Sequence, residues 1–222
     1  ICFLMAYLLR LSAGVLRVPL EADFALSATA FGAMSSMVFY AYTLMQIPVG
    51  VLADSKGVRF IVTAGMTAAG AGAFIFSLAP QPWLLFAGRV LMGMGVAVAF
   101  ISSVLFMADN FSGELFGTLS GVTSFIGNTG GILAQAPLAF MIAALTWRTT
   151  FSILGGVCFA LALGCYLTIP SGGGGAPVSI ASLAAGVRSV LSKWRIYPVC
   201  VSYTATSACS LALSGTWGVS WV

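Results

Sequence analysis

Two arginines stand where arginine is costly. Arg10 lies inside the apolar run Tyr7-Leu8-Leu9-Arg10-Leu11-Ser12, and Arg89 lies in Gly88-Arg89-Val90-Leu91-Met92. A guanidinium at the centre of a membrane helix costs about 2.5–3.5 kcal/mol on insertion scales, so it must face a cavity or a partner. Its planar fork of donors suits a carboxylate or a phosphate. Tyr7, Arg10 and Gly14 share one helical face, at i, i+3 and i+7. The chemistry on offer is recognition of an anion. The alternatives for Arg10 are snorkelling to the interface or a structural pair with a carboxylate elsewhere in a longer protein. Arg89 stands some six residues inside the end of its run and has the easier path outward.

Polar side chains recur at helical spacing in other apolar runs. Tyr40 and Thr43 share one face, and Tyr42 and Gln46 another. Gly121, Ser124, Asn128, Gly131 and Gln135 form a stripe, and Tyr203, Ser207, Ser210 and Ser214 form a second. Small residues in such stripes also serve close helix packing. The amides Asn128 and Gln135 are more telling, because a polar group in lipid needs a partner. Together the stripes describe a polar central cavity. Tyr7, Arg10, Tyr40, Asn128, Gln135 and Tyr203 are its candidate substrate-binding residues.

Several chemistries are excluded. Histidine is absent, so no Ser-His-Asp, Cys-His or H-E-x-x-H site can form, and an enzyme is not expected. The five cysteines form no C-x-x-C pair; they read as small buried hydrophobes, and no metal or cofactor is expected. The chain has 9 Lys+Arg against 5 Asp+Glu, but the basic excess does not gather into a nucleic-acid face. No Asp or Glu falls in the middle of an apolar run. A proton-coupled carrier usually has a titratable group there, so a coupling group lies outside this sequence, or transport is uniport or exchange.

The elements that must hold these residues are long apolar helices. Hydrophobic residues make up 60% and charged residues 6%, against a usual charged share of about 25%. A bilayer core is spanned by about 20 apolar residues. Seven segments qualify, at roughly 1–18, 29–53, 60–79, 83–107, 116–142, 149–169 and 196–218. The fold class is an all-α membrane protein, a transmembrane helix bundle with about seven helices present. Residues 1–169 form a six-helix bundle. Residues 170–195 form a linker, with Ser171 to Pro177 flexible and Ile180, Leu183, Ala184, Val187, Val190, Leu191 and Trp194 on one face of an amphipathic helix. Residues 196–222 hold the first helix of a second, truncated bundle. Both ends lie in apolar sequence, so a longer protein is expected. Lys56, Arg59, Arg188, Lys193 and Arg195 fall on one side, with Arg17 and Arg148 opposite. The positive-inside rule puts the Lys56 side in the cytoplasm.

Between the second and third segments runs Gly50-Val51-Leu52-Ala53-Asp54-Ser55-Lys56-Gly57-Val58-Arg59. Gly57 permits a positive-φ turn, and Gly50 a close helix approach. Asp54 is placed to pair with Arg59 across the turn and to face the start of the next helix, where the dipole favours negative charge. The plain alternative is a solvated salt bridge, worth at most about 1 kcal/mol. Gly50, Leu52, Ala53, Asp54, Gly57 and Arg59 stand where the signature loop of the major facilitator superfamily has them, with Ser55 departing from its usual basic residue. The helix 4 stretch Gly88 to Ala97, the stretch Phe39 to Pro48 and Trp147-Arg148 also resemble that family. The resemblance implies two six-helix halves around a midplane site, with alternating access. It implies that Gly50, Asp54, Gly57 and Arg59 latch the halves, and that Arg89 serves coupling or packing.

The expected function is secondary active or facilitative transport of a small solute, with Arg10 and Arg89 pointing to an organic anion. Its partners are the solute, the lipid bilayer and a coupling ion where one is used, and no nucleic acid. The setting is a multi-pass integral membrane protein of a bacterial cytoplasmic (inner) membrane. The alternative is a membrane receptor or an inactive truncated carrier.

Overall fold

A computed structural model describes residues 1–170, 192–194 and 197–212. Helix α1 runs Cys2–Leu11, and a 3-10 turn at Gly14–Leu16 leads into α2, Arg17–Phe24. The single helix expected over 1–18 is therefore a pair bent by 47°. Gly14 weakens helix continuity. The Leu9 carbonyl, in the last turn of α1, also accepts from Ser12 Oγ at 2.9 Å and Arg89 Nη1 at 3.1 Å. Side chains inserted at a helix ladder are a standard cause of such bends.

Helix α3 covers Ala28–Ser77, 50 residues. Straight, it would be about 75 Å long, over twice the thickness of a bilayer core of about 30 Å. It is not straight, because Gly57 takes φ 78° and ψ 165°, a conformation glycine alone adopts readily. The packing on α4, Pro82–Val96, shows that the chain reverses there. A Cβ added at Gly93 would strike Val38 and Ala41, and one at Gly95 would strike Gly65 and Ala69. Both arms, residues 28–56 and 58–77, thus lie against the same level of α4. They are the second and third helices expected from the sequence.

Helix α5, Val98–Asn110, continues α4 through Ala97, which keeps helical dihedrals (φ −60°, ψ −28°). Helix α6, Gly113–Leu133, and α7, Ala136–Leu145, bend by 43° where one helix was expected over 116–142. Pro137 explains the break: it has no N–H, and its ring clashes with the carbonyl four residues back, Leu133, where α6 stops. Helix α8 is Trp147–Thr168 and α9 is Tyr197–Ala212. Counting each bent pair as one span gives five, and the reversal at Gly57 makes six before α9. The glycine linker and the amphipathic segment lie, apart from 192–194, outside the described residues, as does the seventh helix beyond Ala212.

Small residues set the helix spacing. Lipid tails are as apolar as leucine, so helices associate in a membrane largely through close contact. Gly72 and Gly88 lie against each other's backbone across the α3–α4 seam, and Gly70 meets Gly155 and Cys158 across the α3–α8 seam. Gly127 and Gly130 of α6 take Phe3 and Leu4 of α1 at similarly close range.

Candidate functional site

Arg10 is caught between two aromatic rings. Its guanidinium carbon lies 4.4 Å from the Tyr7 ring centroid and 5.3 Å from that of Tyr42. Each such contact is worth about 0.5–2 kcal/mol, depending on exposure. Tyr7 is itself braced edge-on by Phe3 at 5.0 Å, and Phe3 fits against Gly127 because that residue has no side chain. Arg10 Nε is shielded and has no hydrogen-bond partner, and among the described residues no carboxylate pairs with the guanidinium. The result is a cation held between rings whose guanidinium makes no hydrogen bond to the described residues.

The other sequence candidates distribute unevenly around it. Tyr42, not Tyr40, meets Arg10; Tyr40 is 63% exposed. Residues two apart on a helix face nearly opposite ways, so Tyr40 and Tyr42 present different faces. Gly131 faces Leu11 and the Tyr7 ring, so the α6 stripe runs along this part of α1. On that stripe, Asn128 is exposed and donates Nδ2 to the Ser124 carbonyl of its own helix at 2.8 Å. Gln135 sits half-buried at the α6–α7 break. Tyr203 on α9 is 75% exposed, and no hydrogen bond or ring contact joins it to Arg10 among the described residues.

Arg89 does not take the outward path open to it by position. It is fully buried, donating Nη1 to the Leu9 carbonyl at 3.1 Å and to Ser12 Oγ at 3.2 Å. Its guanidinium carbon lies 5.5 Å from the Phe76 ring centroid. It pins the end of α1 to α4, which makes it a packing residue in this arrangement.

At the Lys56 end, Asp54 and Arg59 are not paired. The turn at Gly57 lies between them, and the Arg59 guanidinium instead stacks 4.1 Å from the Tyr166 ring centroid on α8. Asp54 is exposed. Both line a cavity of about 520 Å³, with Gly57, Asp109 and Pro170. Among the described residues nothing lies within 4 Å of a Cβ placed at Gly50.

The opposite end holds a cluster that sequence reasoning missed. Trp147 Nε1 donates to Asp23 Oδ2 at 2.8 Å, and Arg148 Nη1 donates to the Ser77 and Ala79 carbonyls at 3.1 and 2.8 Å. Arg148 Nε also lies 3.9 Å from Asp23 Oδ2. The C-terminal end of α3 is thus capped by a cation, the sign its dipole favours. Asp23 and Trp147 are 124 residues apart, so local spacing carries no trace of the contact.

A family model for the Major Facilitator Superfamily matches residues 1–222. The chain belongs to the major facilitator superfamily. Its superfamily fold is seen in a crystal structure of a D-xylose-proton symporter, matched at TM-score 0.57 and 18% identity over 90% of this chain and 54% of that one. Among its relatives, an uncharacterized transporter of Bacillus subtilis (strain 168), YybO, is 28% identical over 152 residues, 68% of this chain and 35% of that protein. A probable L-galactonate transporter of Escherichia coli (strain K12) is 29% identical over 161 residues, 72% of this chain and 36% of that protein. The major facilitator chain described here therefore spans about a third of the length of these relatives. Membership and the apolar helices make it an integral membrane protein.

Proposed function

We propose that the whole protein carries a small organic anion across a bacterial cytoplasmic membrane by alternating access, as a secondary active or facilitative transporter. The observation that carries this is Arg10: a guanidinium held by the Tyr7 and Tyr42 rings with no carboxylate or hydrogen-bond acceptor among the described residues. A ligand carboxylate would accept two parallel hydrogen bonds from that fork. The relative described as a probable L-galactonate transporter supports an anionic solute. Tyr7, Arg10 and Tyr42 form the proposed anion subsite, with Asn128 and Gln135 of α6 and Tyr203 of α9 as further solute contacts and Tyr40 on the opposite face of its helix. The cavity that brings Asp54, Arg59 and Asp109 together supports a latch engaged by the other half of the protein.

The test uses the full-length protein and two ligand classes, sugar-acid carboxylates and neutral polyols. The carboxylates are expected to raise the melting temperature and to compete for uptake. Arg10→Lys keeps the charge but loses the fork, and apparent affinity is expected to fall about tenfold, equivalent to about 1.4 kcal/mol. Arg10→Gln is expected to lose more while still inserting. A folded Arg10→Gln that binds the carboxylate as tightly as wild type, or stabilisation by the polyol alone, defeats the reading.

A further inference from the structure

Cys2 Sγ and Cys165 Sγ lie 3.5 Å apart although 163 residues separate them in the chain. Cys2 opens α1, and Cys165 stands in the last turn of α8. At this distance the sulfurs touch without being bonded, since a disulfide is about 2.05 Å long. Both line a cavity of about 280 Å³, with Phe3, Val62, Ser102 and Thr123. The other cysteines are placed differently. Cys158 is buried, while Cys200 and Cys209 are exposed and nine positions apart on α9, hence on opposite faces of that helix.

We propose that Cys2 and Cys165 form a dithiol site that binds one trivalent arsenic centre. Thiol sulfur is a soft donor, and soft donors select soft metals and metalloids over hard ions. No group of three or more His, Cys, Asp or Glu side chains able to hold a metal occurs among the described residues. A tetrahedral site of the zinc kind, which takes four ligands, is therefore not built here. Two sulfurs in contact fit a pyramidal centre that holds both as adjacent ligands. A linear two-coordinate ion would need them on opposite sides, farther apart. The third position on the arsenic keeps its own substituent, which the adjoining cavity receives.

The chemistry is a substitution without redox change. With an organoarsonous acid, two As–O bonds break and two As–S bonds form. Each hydroxide leaves as water, carrying the proton of one thiol, and arsenic stays trivalent throughout. The product staples the start of α1 to the end of α8. The site shares Phe3 with the brace of the Tyr7 ring, but the two thiols do not depend on which solute is carried.

The experiment treats reduced full-length protein with one equivalent of phenylarsine oxide and reads the intact mass and the melting temperature. Wild type is expected to carry one arsenical, to melt at a higher temperature, and to lose the adduct to dimercaptopropanol. Cys2→Ser and Cys165→Ser are each expected to carry none and to show no shift, while Cys200→Ser behaves as wild type. Denaturation and alkylation of the adduct should then leave Cys2 and Cys165 as the two unlabelled cysteines. Absence of an adduct in wild type, or an equal adduct in Cys2→Ser, overturns the site.

Discussion

A guanidinium inside a membrane protein has to be held, and the two in this chain are held by different means. Arg10 is held by rings and makes no hydrogen bond to the described residues, whereas Arg89 gives Nη1 to the Leu9 carbonyl and Ser12 Oγ at the end of α1, while its Nε and Nη2 stay unpartnered among the described residues. The first arrangement suits a site and the second suits a pin. Arg89→Ala is expected to destabilise the folded protein by about 3 kcal/mol, the scale of large-to-small changes in a packed core. Unfolding of the purified variant in detergent measures this, and a stability equal to wild type would remove the pinning role. Residue spacing alone distinguished these two only in part. The Tyr7–Arg10 pairing was legible at i and i+3, but the burial of Arg89 depends on a carbonyl 80 residues away. No periodicity encodes that.

Among the elements, glycine decides how closely helices approach, and its positions are not equivalent. A Cβ at Gly72 would lie 2.6 Å from the Met92 nitrogen and 2.8 Å from the Gly88 carbonyl, both backbone and unable to yield cheaply. Nothing lies within 4 Å of a Cβ at Gly121. Gly72→Leu is therefore expected to force α3 from α4 and abolish accumulation of folded protein. Gly121→Ala should be neutral or slightly stabilising, because alanine is the better helix former by about 1 kcal/mol. Size-exclusion profiles of both variants check the contrast, and a monodisperse Gly72→Leu would refute the tight seam. The span positions were legible from run length and apolarity, as was the turn at Gly57. The breaks after Leu11 and Leu133 were not, because an apolar run reads the same whether straight or bent. Pro137 was the available signal for the second break.

Across the whole molecule the two ends of the bundle differ in kind. The Trp147 end is knotted by Asp23, Trp147 and Arg148, whereas the Lys56 end opens into a cavity with Asp54, Arg59 and Asp109 on its wall. An end already tied by its own residues has little left to offer a partner. The open end has two carboxylates without an ion pair among the described residues. If that end latches the other half, Asp54→Asn should insert and fold normally yet slow transport in the full-length protein. Uptake at the wild-type rate would reject the latch. The superfamily loop made Asp54 and Arg59 visible as a pair of interest; that they share a cavity wall instead of a salt bridge follows from the direction in which Gly57 sends the chain.

The capping of α3 by Arg148 also carries a clock. The Ser77 carbonyl leaves the ribosome 71 residues ahead of its donor, an interval of about 4–14 s at synthesis rates of about 5–20 residues per second. Throughout that interval the Ser77 and Ala79 carbonyls lack their Arg148 donor. The knot at the Trp147 end closes when the start of α8 arrives, so α8 is the helix that finishes α3.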